Sequence, residues 1–401
     1  MLKHTFNHID SYLTAHKQYW HYNAFPLLDY PSFENNSELI DLLESFDDTA
    51  LKLYQQNPSL LYPILKKVIP DLLAIDDQLF AIEKRNKQVQ SDIPFWLKNG
   101  IKGRKWVQID QFSDHVKGKL PVLEWCAGKG HLGRLIHHKT QVDVSAVEWN
   151  ESLCEQGTQL AEQLQIKQDF SVANVLLGEA DPLLKAQQHV VALHACGDLH
   201  VHLIECAKSS KTQKVTISPC CYHLTQHEEY RPVSLYAAES SQLLSSIHLS
   251  KQDLKLAVAQ QSTSGERQTA LNDQEVWWRL SFDCLQKSLL NTNTYLNVPS
   301  FPKTLLSADF HQFSAWVVET KALDIELPTD LTHFLQAGLV RFNRLRRCEL
   351  VSQFFRRPLE LWLVYDRALS LQEAGYQVTL FTFCESHITP RNLLIQASLE
   401  V

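Results

Sequence analysis

Residues 122–134 constrain the fold of this 401-residue chain more than any other segment. They read Val-Leu-Glu-Trp-Cys-Ala-Gly-Lys-Gly-His-Leu-Gly-Arg, which predicts a short apolar strand, a carboxylate near its end, and a glycine turn that leads into a helix. The spacing Gly128-x-Gly130-x-x-Gly133 is typical of turns that let a ligand approach the backbone at a helix N-terminus. The spacing alone does not select the ligand.

Two carboxylates select among the ligands that fit such a turn. Glu124 stands a few residues before Gly128, where it would repel a pyrophosphate and attract a cation. Glu148 follows Gly128 by about twenty residues, the spacing at which an acid accepts hydrogen bonds from ribose hydroxyls. S-adenosylmethionine carries a sulfonium and an ammonium group and no phosphate, so the pattern favours it over NAD. The alternative is a surface turn flanked by two incidental acids.

From residue 120 onward, short β-rich runs alternate with helix-compatible segments, which predicts a parallel sheet covered on both faces. The predicted strands are residues 122–126, 142–149, 170–176, 190–196 and 215–221. Ligands of such sheets bind outside the carboxyl ends of the strands, so one rim should carry the residues that end them. These residues are Glu124, Glu148, Asn174, residues 194–198 and residues 219–223.

The regions outside this alternating segment have a helical pattern. Residues 1–95 are predicted to form an N-terminal helical domain, with one helix after an N-cap at Ser37 and another from Leu72 to Ile82. A second domain covers residues 96–401 and is interrupted at about 225–350 by a helical insertion. Near the C-terminus, a buried helix ending at Gly375 precedes two strands, 376–384 and 393–399, which complete the sheet beyond the fifth strand.

The composition is that of a globular protein, with 44% hydrophobic residues, 21% charged residues and a formal net charge of -7. Such a balance offers no overall attraction to nucleic acid or membrane, so a polyanionic partner needs a local basic surface. A candidate is an arginine-rich segment that also contains phenylalanines, which can bind phosphates and stack on bases. The alternative is a solvated helix face paired with acids such as Glu349 and Glu360. The arginines are Arg341, Arg344, Arg346, Arg347, Arg356 and Arg357.

The nine cysteines are scattered along the chain, with one adjacent pair at Cys220 and Cys221. Without a C-x-x-C pair, neither a metal site nor a disulfide framework is predicted. The N-terminal residues lack a signal-peptide pattern, and no apolar run reaches the length of a membrane span. We therefore expect reduced thiols in a cytoplasmic protein that has no membrane partner.

These motifs resemble the class I S-adenosylmethionine-dependent methyltransferases. The resemblance is greater to a subgroup that contains methyltransferase-like protein 25 relatives and is distantly similar to a eukaryotic tRNA ribose methyltransferase. It rests on residues 124–132, 194–199 and 219–223, with Asp366-Arg367 and residues 390–392, and it covers the chain from about residue 103 onward. It implies a Rossmann-like α/β sheet that is mostly parallel with an antiparallel last strand, and methyl transfer from S-adenosylmethionine.

The resemblance also implies which residues bind the cofactor. Glu124 and the glycine turn would surround its methionine part, Glu148 its ribose, and Asn174 its adenine. Asn174 replaces a common aspartate but keeps an amide oxygen as acceptor, and Cys126 replaces a common glycine. Lys105 stands before a helix-like segment and either closes over the ligand or belongs to a solvated linker. The predicted set is Lys105, Glu124, Ala127, Gly128, Gly130, Leu132, Glu148, Trp149, Asn174, Val175, His194, Cys196 and Gly197.

Methyl transfer requires in-line positioning and removal of a proton from the acceptor. The candidate bases are His194, Asp198 and His223, in that order. The Asn-Pro-Pro-aromatic motif of amide and exocyclic-amine methyltransferases does not follow the fourth strand, which argues against acceptors of that type. The first hypothesis is methyl transfer to structured RNA, either tRNA or rRNA. The alternatives are a protein or small-molecule acceptor, and a non-catalytic module that binds the cofactor.

Overall fold

The computed structural model describes residues 1–31, 33–85, 93–259 and 266–400. Its strands are β1 (Val122–Trp125), β2 (Val144–Glu148), β3 (Gln168–Val172), β4 (His189–Cys196), β5 (Lys214–Cys220), β6 (Gln377–Thr382) and β7 (Leu393–Ser398). They form one sheet in the order β3-β2-β1-β4-β5-β7-β6. Strands β1 to β5 pair in parallel, and β7 runs antiparallel to β5 and β6. The predicted sheet, mostly parallel with an antiparallel last strand, is confirmed.

Helices connect these strands and account for much of the remaining chain. They are α1 (Leu2–Ala15), α2 (Ser37–Glu44), α3 (Asp48–Gln56), α4 (Pro58–Leu65), α5 (Phe95–Lys98), α6 (Gly103–Ser113), α7 (His131–Thr140), α8 (Glu151–Gln163), α9 (Asp198–Ser210), α10 (Leu235–Ser240), α11 (Gln242–Ser246), α12 (Lys251–Leu256), α13 (Glu266–Leu289), α14 (Phe310–Thr320), α15 (Thr332–Ser352) and α16 (Arg356–Glu373). None of the helices in the described part of the chain combines the length and apolar character that a membrane span requires.

Some predicted elements differ from the observed ones for local reasons. Strand β3 ends at Val172, because the Asn174 side chain accepts a hydrogen bond from Leu176 N and begins a 3₁₀ turn. Asn36 is the N-cap of α2, where Ser37 was expected, and the predicted single helix after it is divided into α2 and α3. The predicted helix from Leu72 to Ile82 is wrong, since that region contains only the short 3₁₀ helix Gln78–Phe80.

The chain divides into two compact units, and the first is Met1–Ala15, Asp76–Ala259 and Phe355–Val401. It contains the whole sheet. Helix α1 packs on α16, where the Phe6 and Trp362 ring centroids are 5.5 Å apart and Trp362 Nε1 donates to Asp10 Oδ1 at 2.8 Å. Helix α16 is buried along most of its length, as expected from its apolar sequence. The first helix therefore groups with the sheet, a different division from the one expected at residue 95.

The second unit is His16–Ile75 and Gln260–Phe354. Its longest helices, α13 and α15, pack together, and a Cβ on Gly338 would lie 2.0 Å from Ser281 Oγ. This close approach explains why α15 tolerates a glycine in its interior. An apolar cluster that includes Trp278, Phe282 and Phe313 forms a core of its own. Of the helical insertion expected at about 225–350, residues 260–350 thus share a unit with residues 16–75, and residues 225–259 group with the sheet.

Candidate active site at the carboxyl ends of the strands

Glu124, on β1, is buried beneath the glycine turn. Its Oε2 accepts hydrogen bonds from Gly133 N at 2.8 Å and from Gln168 Nε2 at 3.3 Å. Burial raises the pKa of Glu124 to about 7, although the Gly133 hydrogen bond and the charges of Arg134 and Lys105 act in the opposite direction. The carboxylate therefore fastens the turn to the start of α7.

Gly133 and Gly128 are required in the turn for different physical reasons. Gly133 lies so close to its neighbours that a Cβ there would stand 2.3 Å from Gln168 Nε2 and 2.5 Å from Glu124 Oε2. Gly128 has a left-handed φ of 58°, and a Cβ there would meet nothing within 4 Å. Gly133 thus allows the helix to approach the sheet, while Gly128 leaves open space above the turn.

Glu148 ends β2 next to that open space. Its Oε2 accepts a hydrogen bond from Gly128 N at 2.9 Å, and its Oε1 accepts one from Asn150 N at 3.1 Å. Each carboxylate oxygen retains a second lone pair, which suits a ribose diol. The neighbouring Trp149 side chain is 71% exposed and offers an apolar face at the same strand end. These residues fit the cofactor that the sequence predicts, and their binding role stays a prediction.

Other predicted cofactor residues lie at the same edge in different environments. Asn174 uses its amide oxygen to cap the 3₁₀ turn through Leu176 N at 3.1 Å, so its first acceptor position is occupied. Val175 and Leu132 are buried, and Leu132 belongs to the hydrophobic core beside β1. Lys105 is exposed on α6, and its charge acts on Glu124 and His194.

His194 is held at a sharp irregularity of β4. It adopts a left-handed φ of 72°, and the register of β4 against β5 shifts between Leu193 and Cys196. Gln108 Nε2 donates to Ile388 O, which directs Gln108 Oε1 toward His194 Nε2 at 2.8 Å. The imidazole therefore donates from Nε2 and keeps a lone pair on Nδ1. Burial, followed by the charges of Arg391 and Lys105, lowers the pKa of His194.

Asp198 begins α9 after Gly197, whose close contact with Leu224 O leaves no room for a side chain. Asp198 Oδ2 accepts a hydrogen bond from Gln226 N at 2.8 Å, which ties the loop after β5 to this strand end. A cavity of about 340 Å³ lies beside these residues. Its lining includes Gly197, Asp198, Tyr222, Tyr230, Arg231 and Arg367.

Three thiols meet where β4 and β5 end. Cys196 and Cys220 are register partners in the sheet, and their Sγ atoms are 3.3 Å apart. Hydrogen bonds with Cys196 and then Cys220 lower the pKa of Cys221, while hydrogen bonds with Cys196 and then Cys221 raise the pKa of Cys220. His223 follows two residues later, and burial lowers the pKa of its imidazole. Cys196 and His223, both predicted site residues, thus lie at neighbouring strand ends.

The arginine-rich segment makes many contacts inside the fold. Arg341 Nη1 lies 2.6 Å from Asp283 Oδ2, and Arg346 Nη1 lies 2.5 Å from Asp48 Oδ1. Both of these arginine side chains are buried. Three others also have acceptors: Arg344 donates to Leu28 O, Arg347 to Phe46 O and Arg357 to Glu360 Oε2. These contacts favour a structural role for Arg341 and Arg346, whereas the alternative to nucleic-acid binding that the sequence left open was a solvated helix face paired with acids such as Glu349 and Glu360.

Residues 104–228 match the family model of a methyltransferase domain. This segment runs from the first turn of α6 past the end of β5, and it includes the glycine turn and the strand ends described above. The matched segment, which contains β1 to β5 of the sheet, is thus similar to a methyltransferase domain. Strands β6 and β7 lie outside the matched segment. No curated protein matches the chain.

Solved methyltransferase structures give short matches to part of this chain. The tRNA (uracil-54, C5)-methyltransferase of Pyrococcus abyssi is 20% identical, with 27% of this chain and 26% of that chain covered and a TM-score of 0.23. TrmK of M. capricolum is 11% identical, with 27% and 50% covered and a TM-score of 0.24. Geranyl diphosphate C-methyltransferase of Streptomyces coelicolor A3(2) is 12% identical, with 34% and 53% covered and a TM-score of 0.26. The matches span about half of these structures or less.

Two residues at the site were not among those predicted from the sequence. Gln108 orients His194 from α6, and nothing in its spacing marks it. Arg391, whose charge acts on His194 and Cys221, belongs to the Pro390-Arg391-Asn392 motif that contributed to the family resemblance. That motif was the available signal, but it gave no indication that a residue after β6 would reach the ends of β4 and β5.

Proposed function

We propose that the protein transfers a methyl group from S-adenosylmethionine to RNA. The observation that best supports methyl transfer is the pair of acids at the ends of β1 and β2 around the open space at Gly128. When bound, the cofactor supplies a methyl group on a cationic sulfur. Glu124 would balance its positive charge, Glu148 would accept from its ribose hydroxyls, and the exposed Trp149 would cover an apolar part.

His194 is the residue that we propose to accept the proton of the acceptor. Its lowered pKa keeps the imidazole neutral near pH 7, and Gln108 leaves the Nδ1 lone pair available. Asp198, fixed by Gln226 N, would orient the acceptor at the edge of the cavity. Asp198 and then His223, which lies one strand away, are the further candidate bases.

A basic edge of the first unit supports an anionic acceptor. Lys102, Arg104 and Lys105 are exposed around the start of α6, and Lys105 and Arg391 both act electrostatically on His194. Positive charge is concentrated here although the chain as a whole carries a net charge of -7. RNA is a polyanion that such an edge attracts. The arginine-rich segment remains a proposed second contact, through Arg344, Arg347, Arg356 and Arg357 more than through the buried pair.

Calorimetry with S-adenosylmethionine and with NADH tests the cofactor. We expect binding of S-adenosylmethionine alone. Binding of NADH without binding of S-adenosylmethionine would overturn the proposal at its base, whatever the acceptor is.

Incubation with labelled cofactor and cell extract tests the acceptor. We expect the label in material that ribonuclease digests and protease does not. The double variant Lys102→Glu/Arg104→Glu should weaken RNA binding and reduce its salt dependence. Lys117→Glu/Lys119→Glu is the matched control, because it makes the same charge change just before β1, at the opposite ends of the strands. Equal effects of the two variants would contradict a basic edge that directs RNA.

A small-molecule acceptor is the second candidate, and the cavity of about 340 Å³ beside Asp198 favours it. Label in a fraction that resists both ribonuclease and protease would support this alternative. Label in protein would point to a protein acceptor. Cofactor binding without methyl transfer would point to a non-catalytic module.

All nine cysteines are free, which supports our inference of a reducing compartment such as the cytoplasm.

A further inference from the structure

The sulfur atoms of Cys196, Cys220 and Cys221 all lie within 4.8 Å of one another. Zinc bound to thiolates at about 2.3 Å in a tetrahedron places the sulfurs about 3.8 Å apart. The Cys196 and Cys220 Sγ atoms, at 3.3 Å, are closer than this, so small side-chain rotations would open the group to that size. The three thiols thus have the arrangement of a tricysteine metal site.

The backbone departs from regular strand geometry in the two places that bring the thiols together. The register shift in β4 sets Cys196 opposite Cys220. Consecutive residues of a strand point to opposite faces, so Cys220 and Cys221 would normally diverge. Cys221 instead has a left-handed φ of 49° just after β5, which turns its side chain toward the other two. Non-glycine residues in this conformation persist where the surrounding structure requires them, and they occur often at functional sites.

Two polar atoms near the thiols lack partners within the described residues. They are Arg391 Nε and His223 Nδ1, both of which are buried. Arg391 acts electrostatically on Cys196 and Cys221, and His223 acts on Cys221. Groups that surround metal-bound thiolates donate hydrogen bonds to sulfur and offset its negative charge. Arg391 Nε is a positively charged N–H donor without an acceptor in the described part of the chain, and it is therefore suited to donate to a metal-bound thiolate.

We propose that Cys196, Cys220 and Cys221 bind a zinc ion that joins the carboxyl ends of β4 and β5. Among the described residues, no fourth His, Cys, Asp or Glu ligand atom joins the three within 4.8 Å, so water completes the tetrahedron. No C-x-x-C pair marks the site in the sequence, because the parallel pairing of two strands brings the three cysteines together. The inference does not depend on the proposed function.

Elemental analysis of the purified full-length chain tests the proposal. We expect about one zinc ion per chain, and loss of most of it in Cys196→Ser, Cys220→Ser and Cys221→Ser. The matched control is Cys384→Ser, a buried cysteine in the hydrophobic core that should retain full zinc content. Cobalt substitution should give the intense visible bands of a tetrahedral site and a thiolate-to-cobalt charge-transfer band in the wild type and in Cys384→Ser only.

A measurement on the wild type keeps the proposal testable if a serine variant fails to fold. Titration with a mercurial thiol reagent should release one zinc ion, which a colorimetric chelator detects. Wild-type protein free of zinc after purification without chelators and after zinc addition would overturn the proposal. A disulfide between Cys196 and Cys220 in the freshly purified, metal-free protein, seen by mass spectrometry, would overturn it as well.

Discussion

The glycine turn after β1 and the rim formed by the ends of β4 and β5 are built differently, although they share one edge of the sheet. In the turn, Glu124 and Gly133 are nine residues apart, and hydrogen bonds to backbone amides fix both acids. At the rim, β4, β5 and the loop before β7 each contribute a group, and His194 and Cys221 have left-handed backbones. The turn is a local structure that we propose as the binding site of the methyl donor, whereas the rim depends on the topology of the whole sheet.

This difference predicts that the turn and the rim have separate roles, which experiments can distinguish. Changes in the turn should alter stability and cofactor affinity. Changes at the rim should alter the rate of transfer while cofactor affinity is maintained. A turn variant that changes only the rate of transfer, or a rim variant that changes cofactor affinity, would show that the two regions act as one.

The largest expected effect is on catalysis at the rim. His194→Asn removes the proposed base, and asparagine tolerates the left-handed backbone at this position. We expect the single-turnover rate of methyl transfer to fall about 100-fold or more, because general bases contribute at least that much. The affinity for S-adenosylmethionine, measured by calorimetry, should be unchanged. A full rate in the variant would assign proton removal to another group, of which Asp198 is the next candidate and His223 the one after it.

The next effect is on stability in the turn. Gly133→Ala would place a Cβ 2.3 Å from Gln168 Nε2 and 2.8 Å from Val144 Cγ1. We expect unfolding in urea to require about 3 kcal/mol less free energy, because overpacking forces the helix away from the sheet. Gly103→Ala, where a Cβ meets nothing within 4 Å, is the control and should change stability by less than about 1 kcal/mol. A stable Gly133→Ala variant would mean that α7 is not held closely to β2 and β3.

The same contrast explains what could be predicted from the sequence. The strand–turn–helix segment and both acids depend on spacing over a few tens of residues, so the sequence pattern was sufficient for them. The alternation of strands and helices also predicted the parallel sheet, because each βαβ unit is a local repeat. By contrast, the third strand was predicted too long, since the side chain of Asn174 begins a turn that apolar periodicity does not report.

Contacts between residues that are far apart in the chain could not be predicted from the sequence. Gln108 and Arg391 reach His194 from segments far apart in the chain, and the three thiols come from two strands. The arginine-rich segment shows the same limit of composition. Its composition suggested an exposed basic surface, but the guanidinium groups of Arg341 and Arg346 pair with Asp283 and Asp48, which lie far away in sequence. Charge composition alone does not distinguish an arginine that binds a ligand from one that binds an internal acid.

The pH dependence of stability offers a smaller test of the turn. Glu124 has a pKa of 4.5 when free and about 7 in the fold, so the folded state binds more protons between these values. Stability contributed by its protonated form is present below about pH 4.5 and is lost as pH rises toward 7, by at most about 3 kcal/mol. Gln168, Arg134 and Lys105 face the carboxyl group and reduce this loss.

Glu124→Gln should remove that part of the pH dependence, because the amide does not titrate. The measurement is urea unfolding of the wild type and the variant at pH 5 and at pH 8. We expect the variant to become more stable relative to the wild type when the pH is raised from 5 to 8. An unchanged difference would show that the carboxylate is already charged in the fold, and that Gly133 N and Arg134 outweigh its burial.

The smallest effect concerns the apolar surface beside the turn. Trp149→Ala should change the free energy of unfolding by less than about 0.5 kcal/mol, because the indole is 71% exposed. It should lower the affinity for S-adenosylmethionine about tenfold, or about 1.4 kcal/mol, if the ring covers an apolar part of the cofactor. Leu235→Ala, on a side chain 70% exposed in α10, controls for loss of exposed apolar surface. Unchanged affinity in Trp149→Ala would limit the cofactor site to Glu148 and the glycine turn, and it would leave the indole free to contact the acceptor. The rate of methyl transfer in the same variant would then decide whether the turn serves the donor alone.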